Sequence, residues 1–183
     1  MDGINLKTLS LQEARRTFSV VTQNPILFAG TLRRNLDPFN EHTDHELWIA
    51  LEDVQMKQWV LQLPGHLQYK LIESGNNLSV GERQLVCLAR VLLQKKRIVI
   101  LDEATANVDF KTDRLIQEVI RTKFKFVTVL TIAHRLDTIM DSDRVMVLDR
   151  GRVVEFDKPS ALLNKRESYF ADLVKSYNTT VSS

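Results

Sequence analysis

Two adjacent carboxylates, Asp102 and Glu103, follow directly on the apolar run Ile98-Val99-Ile100-Leu101. If that run is a buried strand of an open α/β sheet, acids at its carboxyl end face the crevice in which such sheets bind ligands. A first acid there can hold Mg²⁺ for a nucleotide, and a second can accept a proton from an attacking water. Equally, two acids at that position can do no more than cap or solvate a turn. A second group is Leu78-Ser79-Val80-Gly81-Glu82-Arg83-Gln84, at the start of a helical pattern. Helix N-termini present unpaired N–H groups and a positive dipole end, which attract phosphate, and Gly81 permits close approach. Ser79 followed three residues later by Glu82 is also a capping box, which needs no ligand; the two roles are compatible. His134 comes shortly after Val127-Thr128-Val129-Leu130-Thr131-Ile132. If the two apolar runs are parallel strands, it reaches the same sheet edge as Asp102, where an imidazole can contact a terminal phosphate. Taken singly, a histidine is more often a structural residue, and Gln23 is a loop residue at a strand end. The set carries more weight than any member.

The elements that must position these groups alternate between strand and helix, which predicts an α/β protein with a largely parallel sheet. Ser19-Val20-Val21-Thr22 is a short strand ended by Asn24-Pro25. Residues 31–95 read as mostly helical: Leu47, Ala50, Leu51 and Val54 recur at helical spacing, and Trp59, Leu61 and Leu63 lead to a break at Pro64-Gly65. A further helix starts near Ser79, with Leu85, Leu88, Ala89 and Leu92 as its apolar stripe. The run Ile98–Leu101 lacks polar alternation, as expected of a parallel strand covered on both faces, and the run ending at Ile132 shares that character in weaker form. Asp109 can cap a helix whose face is Leu115, Ile116, Val119 and Ile120, which completes a βαβ unit. Val145-Met146-Val147-Leu148 and Val153-Val154-Glu155-Phe156 flank a turn containing Gly151, and so predict a hairpin. Two short helices follow Pro159, and 179–183 reads as a frayed tail.

Bulk properties narrow the classes. With 183 residues, 44% hydrophobic and 26% charged, the chain matches one ordinary globular domain with one core. The 25 basic and 23 acidic residues are scattered and sum to +2, which is no nucleic-acid footprint. The single Cys87 sits among apolar residues and fits a reducing compartment. No apolar run approaches the ~20 residues of a membrane span, and the first residues are no signal peptide. A membrane link is therefore expected only through a partner or through additional chain.

In order along the chain, Gln23, Leu78-Ser79-Val80-Gly81-Glu82, Ile98 to Glu103, Ala106-Asn107-Val108-Asp109 and His134 resemble the Q-loop, signature motif, Walker B with its catalytic glutamate, D-loop and H-loop of ATP-binding cassette domains. Asn35-Leu36-Asp37-Pro38-Phe39 and Ala104-Thr105-Ala106-Asn107-Val108-Asp109 are similar to the C subfamily, the multidrug-resistance-associated exporters, and Glu103 resembles the hydrolysis-competent second cassette of that subfamily. The resemblance implies a RecA-like, P-loop NTPase-type α/β core with an inserted helical subdomain. Residues 1–23 and 96–178 would form the core, 24–95 the helical and signature subdomain, and 179–183 the tail. It implies ATP and Mg²⁺ as ligands, transmembrane domains and a second cassette as partners, no nucleic acid, and a place at the cytoplasmic face of a membrane. By the same resemblance Asp102 and Gln23 position Mg²⁺, Glu103 polarises the attacking water, and His134 steadies the γ-phosphate. Ser79, Val80, Gly81, Glu82 and Asp109 serve a nucleotide shared with the opposite cassette.

Two departures qualify it. Val80 and Glu82 stand where the general pattern has glycine and glutamine, and Glu82 adds negative charge near phosphate. Walker A requires a Gly-Lys pair, and none of the six glycines precedes a lysine. The strand, loop and helix of Walker A are therefore expected to be missing, and the isolated chain to be inactive. The alternative is a non-catalytic truncated cassette that docks on an intact one. A soluble cassette ATPase of the DNA-repair or translation type would call for long heptad arms or a basic stripe, and neither is present.

Overall fold

A computed structural model describes residues 3–105, 107–132 and 136–181. The elements in chain order are α1 (Leu11–Arg16), β1 (Phe18–Val21), β2 (Gly30–Thr31), α2 (Leu32–Leu36), α3 (Asp44–Asp53), α4 (Lys57–Gln62), β3 (Lys70–Leu71), α5 (Val80–Gln94), β4 (Ile98–Asp102), α6 (Phe110–Lys123), β5 (Thr128–Ile132), α7 (Leu136–Met140), β6 (Val145–Asp149), β7 (Arg152–Asp157), α8 (Pro159–Asn164) and α9 (Tyr169–Val181). The chain divides into two compact units, Met1–Ile132 and Ala133–Ser183. That division falls inside the 96–178 segment, and each unit has its own apolar cluster.

In the larger unit a parallel sheet runs β1-β4-β5, so the middle strand is the one that carries the acid pair. Its register is Phe18 to Ile98 and Val21 to Leu101 on one side, and Ile98 to Thr128 and Asp102 to Ile132 on the other. The crossover between β4 and β5 is α6, as the βαβ pattern requires. Coverage of both faces is not what is found. Val99 and Leu101 are buried, but Val20, Leu130 and Ile132 are 47%, 54% and 55% exposed. In this unit α5 packs on β1 and α6 packs on α5, while among the described residues the side chains of Val20, Leu130 and Ile132 are left exposed.

The region read as helical contains α2, α3, α4 and α5, and also a small antiparallel pair, Gly30 with Leu71 and Thr31 with Lys70. Strands of two residues are too short to show a period. Leu47, Ala50 and Leu51 on α3 and Val54 just past it are buried, as are Leu85, Leu88 and Ala89 on α5, and these two helices pack together. Asn35 is fully buried on α2. Its amide donates to the carbonyls of Phe28 (2.9 Å) and Thr31 (3.1 Å), and its oxygen accepts from Phe28 N (3.1 Å), which closes the turn entering the helical region.

In the smaller unit β6 and β7 form the expected hairpin. Both central turn residues, Arg150 and Gly151, have positive φ (46° and 76°), the backbone signature of a tight type I′ connection. Val145, Val147, Leu162 and Phe170 make its core. Glu155 is buried and accepts from Phe170 N (2.9 Å), Lys165 Nζ (3.0 Å) and Ser168 Oγ (3.1 Å), which ties the start of α9 to the hairpin. That helix continues to Val181, so the boundary drawn at 178 lies within it.

Candidate functional site

The carboxyl ends of three parallel strands build the candidate site. β1 ends at Val21, opposite Leu101, and Gln23 follows it, exposed. β4 ends on Asp102, which is half-buried and paired in register with Ile132. Glu103 then turns the chain in the left-handed region (φ 48°), and its N–H donates to the Ile132 carbonyl at 2.9 Å. A non-glycine residue holds that conformation only where its surroundings impose it. The bond to Ile132 carries the pairing of β4 with β5 one residue past Asp102. Gln23, Asp102 and Glu103 thus share one edge, with β5 ending alongside. His134 and Ala106 lie outside the described residues.

Asp102 and the Gln23 amide offer oxygen donors. Among the described residues no group of three or more His, Cys, Asp or Glu is gathered. A carboxylate and an amide oxygen are hard donors of the kind Mg²⁺ takes, with water and phosphate oxygens completing its octahedron.

The second group centres on the start of α5. Ser79 is its N-cap: Ser79 Oγ accepts from Glu82 N (3.2 Å) and Glu82 Oε2 accepts from Ser79 N (2.7 Å). The capping box read from the sequence is therefore formed, and the Glu82 carboxylate is folded back on the helix end. The box as a whole occupies the N–H groups of Ser79 and Glu82; helix geometry leaves those of Val80 and Gly81 without an intrahelical acceptor. Gly81 is buried, and a Cβ there would lie 2.8 Å from Thr112 Cγ2 of α6. The close approach that this glycine permits is thus that of a neighbouring helix. Asp109, exposed, caps that same helix by accepting from Thr112 N (3.1 Å), and hydrogen bonds from Thr112 hold its carboxyl below the usual range. Thr112 consequently touches both the signature segment and the segment after the acid pair.

Three residues, Gln84 at the end of the second group and Arg90 and Thr112 outside any motif, join the groups. Gln84 Nε2 donates to the Thr22 carbonyl (3.0 Å), Arg90 Nη1 to the Ile26 carbonyl (2.6 Å), and Thr112 meets Gly81. The one available signal was Gln84 itself, a polar residue four positions before Leu88 and so inside the apolar stripe. The partners lie far away in sequence and leave no local trace.

The model of the family described as "ABC transporter" matches residues 1–106. ATP-binding cassette sub-family C member 4 of Homo sapiens is 57% identical over 175 residues, which is 96% of this chain and 13% of that protein. Probable multidrug resistance-associated protein lethal(2)03659 of Drosophila melanogaster is 55% identical over 168 residues, covering 92% of this chain and 12% of the relative. The chain therefore spans roughly an eighth of the curated relatives it matches. Among solved structures, a bacterial Atm1-family ABC exporter with ATP bound superimposes with a TM-score of 0.87 at 30% identity, over 96% of this chain and 31% of that one.

Proposed function

The chain belongs to the ABC transporter family, within the C subfamily of multidrug-resistance-associated proteins, and has its P-loop NTPase-type α/β nucleotide-binding fold; from that premise we propose that it is the ATP-hydrolysing part of an exporter, working at the cytoplasmic face of a membrane beside transmembrane domains and a second cassette. The observation that carries this reading is the acid pair at the end of the central strand, with Gln23 beside it and β5 ending alongside.

In this reading Asp102 and Gln23 hold Mg²⁺, and Glu103 accepts a proton from the water that attacks the γ-phosphorus. His134 donates to a γ-phosphate oxygen. Mg²⁺, when bound, neutralises charge on the β- and γ-phosphates. Ser79, Val80, Gly81 and Glu82 present the N-terminus of α5 to a nucleotide held chiefly by the opposite cassette, and Asp109 lies beside that contact. The Glu82 carboxylate weakens the field of that helix end, while its bond to Ser79 N keeps the end ordered. No Gly-Lys pair occurs in these 183 residues, so a backbone phosphate cradle with its lysine has to come from elsewhere. That same lack favours a second reading, a non-catalytic cassette that offers its signature end to an intact partner.

The deciding experiment is Glu103→Gln in the intact protein. Steady-state hydrolysis should fall by about 10²–10⁴-fold, the usual worth of a general base, with nucleotide binding retained. Hydrolysis within twofold of wild type would remove Glu103 from the reaction and leave the docking reading.

A further inference from the structure

The loop that carries Gln23 is held at both ends by one helix. Gln84 of α5 donates to the Thr22 carbonyl at 3.0 Å, and Arg90 of the same helix donates to the Ile26 carbonyl at 2.6 Å. From 84 to 90 the helix rises about 9 Å at ~1.5 Å per residue, while Gln23 and Asn24 between the anchors stand exposed. Arg90 is itself immobilised. Its Nη2 donates to Asn35 Oδ1 at 2.8 Å, its Nε to the Asn35 carbonyl, and its guanidinium lies 5.7 Å from the Phe28 ring centroid.

Gln84 is unusual in another respect. It is 1% exposed, and its Oε1 has no hydrogen-bond partner among the described residues. A buried amide oxygen left unpaired costs more than an apolar side chain of the same shape. Packing therefore gives no reason for glutamine at this position. What the side chain supplies is one N–H aimed at the backbone immediately before Gln23, from a helix whose first turn is fixed by the Ser79–Glu82 capping box and by Thr112 against Gly81.

We propose that Gln84 and Arg90 form a two-point clasp that makes the N-terminal end of α5 and the loop from Thr22 to Ile26 move as one body, with Gln84 as the positioning residue. A displacement of Gln23 then carries Ser79 to Glu82 with it, and a contact made by the helix end is felt at the strand edge beside Asp102. The value of this linkage to ATP turnover rests on the function proposed above; the linkage itself does not.

The test is a spin-label distance measurement on the intact protein in a cysteine-free background, with labels at the exposed positions Asn24 and Lys95, the latter just past the end of α5. The clasp predicts a narrow distance distribution without nucleotide. Gln84→Met, close in shape but without the donor, should at least double its width and shift the thermal midpoint by no more than a few degrees, because loss of the bond to the Thr22 carbonyl and removal of the unpaired Oε1 act in opposite directions. An unchanged width, or a lowered midpoint with disorder throughout, would make Gln84 an ordinary packing residue and overturn the proposal; failure of Gln84→Met to fold would do the same. A broad distribution in the wild type overturns it without recourse to any variant. Binding of a fluorescent ATP analogue with Mg²⁺ to the same protein separates this from the functional reading: if none binds the ATP site assignment fails, while the clasp stands or falls on the nucleotide-free widths.

Discussion

Replacing Gly81 by alanine separates the two reasons for a glycine at the head of α5. The added Cβ would sit 2.8 Å from Thr112 Cγ2, 3.1 Å from Oγ1 and 3.2 Å from Cβ. All three lie inside the ~3.5–4.0 Å of a comfortable carbon contact. Rotating Thr112 exchanges Cγ2 with Oγ1 but cannot move its Cβ, so α5 and α6 must part by several tenths of an ångström. Overpacking of this kind costs about 1–3 kcal/mol. Alanine recovers up to about 1 kcal/mol of helix propensity, and less in a first turn. The net expectation is a loss of about 1 kcal/mol, or roughly 2–4 °C in midpoint for a domain of this size. Thr112→Ala removes two of the three clashing atoms, so Gly81→Ala with Thr112→Ala should regain most of the loss, giving a coupling of about 1 kcal/mol in the double-mutant cycle. Thermal unfolding of wild type, both single variants and the double variant measures it. Additivity within ~0.3 kcal/mol would refute the packing argument and return Gly81 to nucleotide contact alone. If coupling is found, ATP-dependent association with a partner cassette that stays weak in the well-packed double variant would assign the remainder to the nucleotide face.

Two further outcomes follow from packing and charge. Leu51→Ala, at a position with no exposed surface in the core of the larger unit, should cost about 2–5 kcal/mol by urea unfolding; a loss under ~1 kcal/mol would mean that the helical region collapses around the cavity. For Glu155, burial pulls the carboxyl upward, but bonds from Phe170 N–H, Lys165 and Ser168 outweigh it and hold the group below its ordinary 4.5. A depressed carboxylate contributes stability that is present above the unfolded value and lost as pH falls through the folded one. Exchange protection of the β6–β7 hairpin should therefore weaken below about pH 4.5, and Glu155→Gln should lower protection at neutral pH and flatten its acid limb. An acid limb identical in the two proteins would refute the role given to Glu155.

The parts of this protein visible in the sequence are those whose physics is local. The capping box of Ser79 and Glu82 and the cap of Asp109 each close within three residues, so residue types at that spacing were enough. The apolar stripe of α5 and the apolar run of β4 follow from the helical and strand periods, and the hairpin from its turn. The acid pair could be placed at a strand end because the strand itself was legible. Tertiary structure alone decided that β4 lies between β1 and β5, which brings Gln23 beside Asp102 and Glu103 across some 80 residues of chain. It also decided that Gly81 serves a helix crossing and that Gln84 reaches Thr22. Each of these is a contact between segments whose own patterns are complete without the other. Periodicity records which side of an element is apolar; which element covers that side is settled only when the whole chain closes its loops and packs.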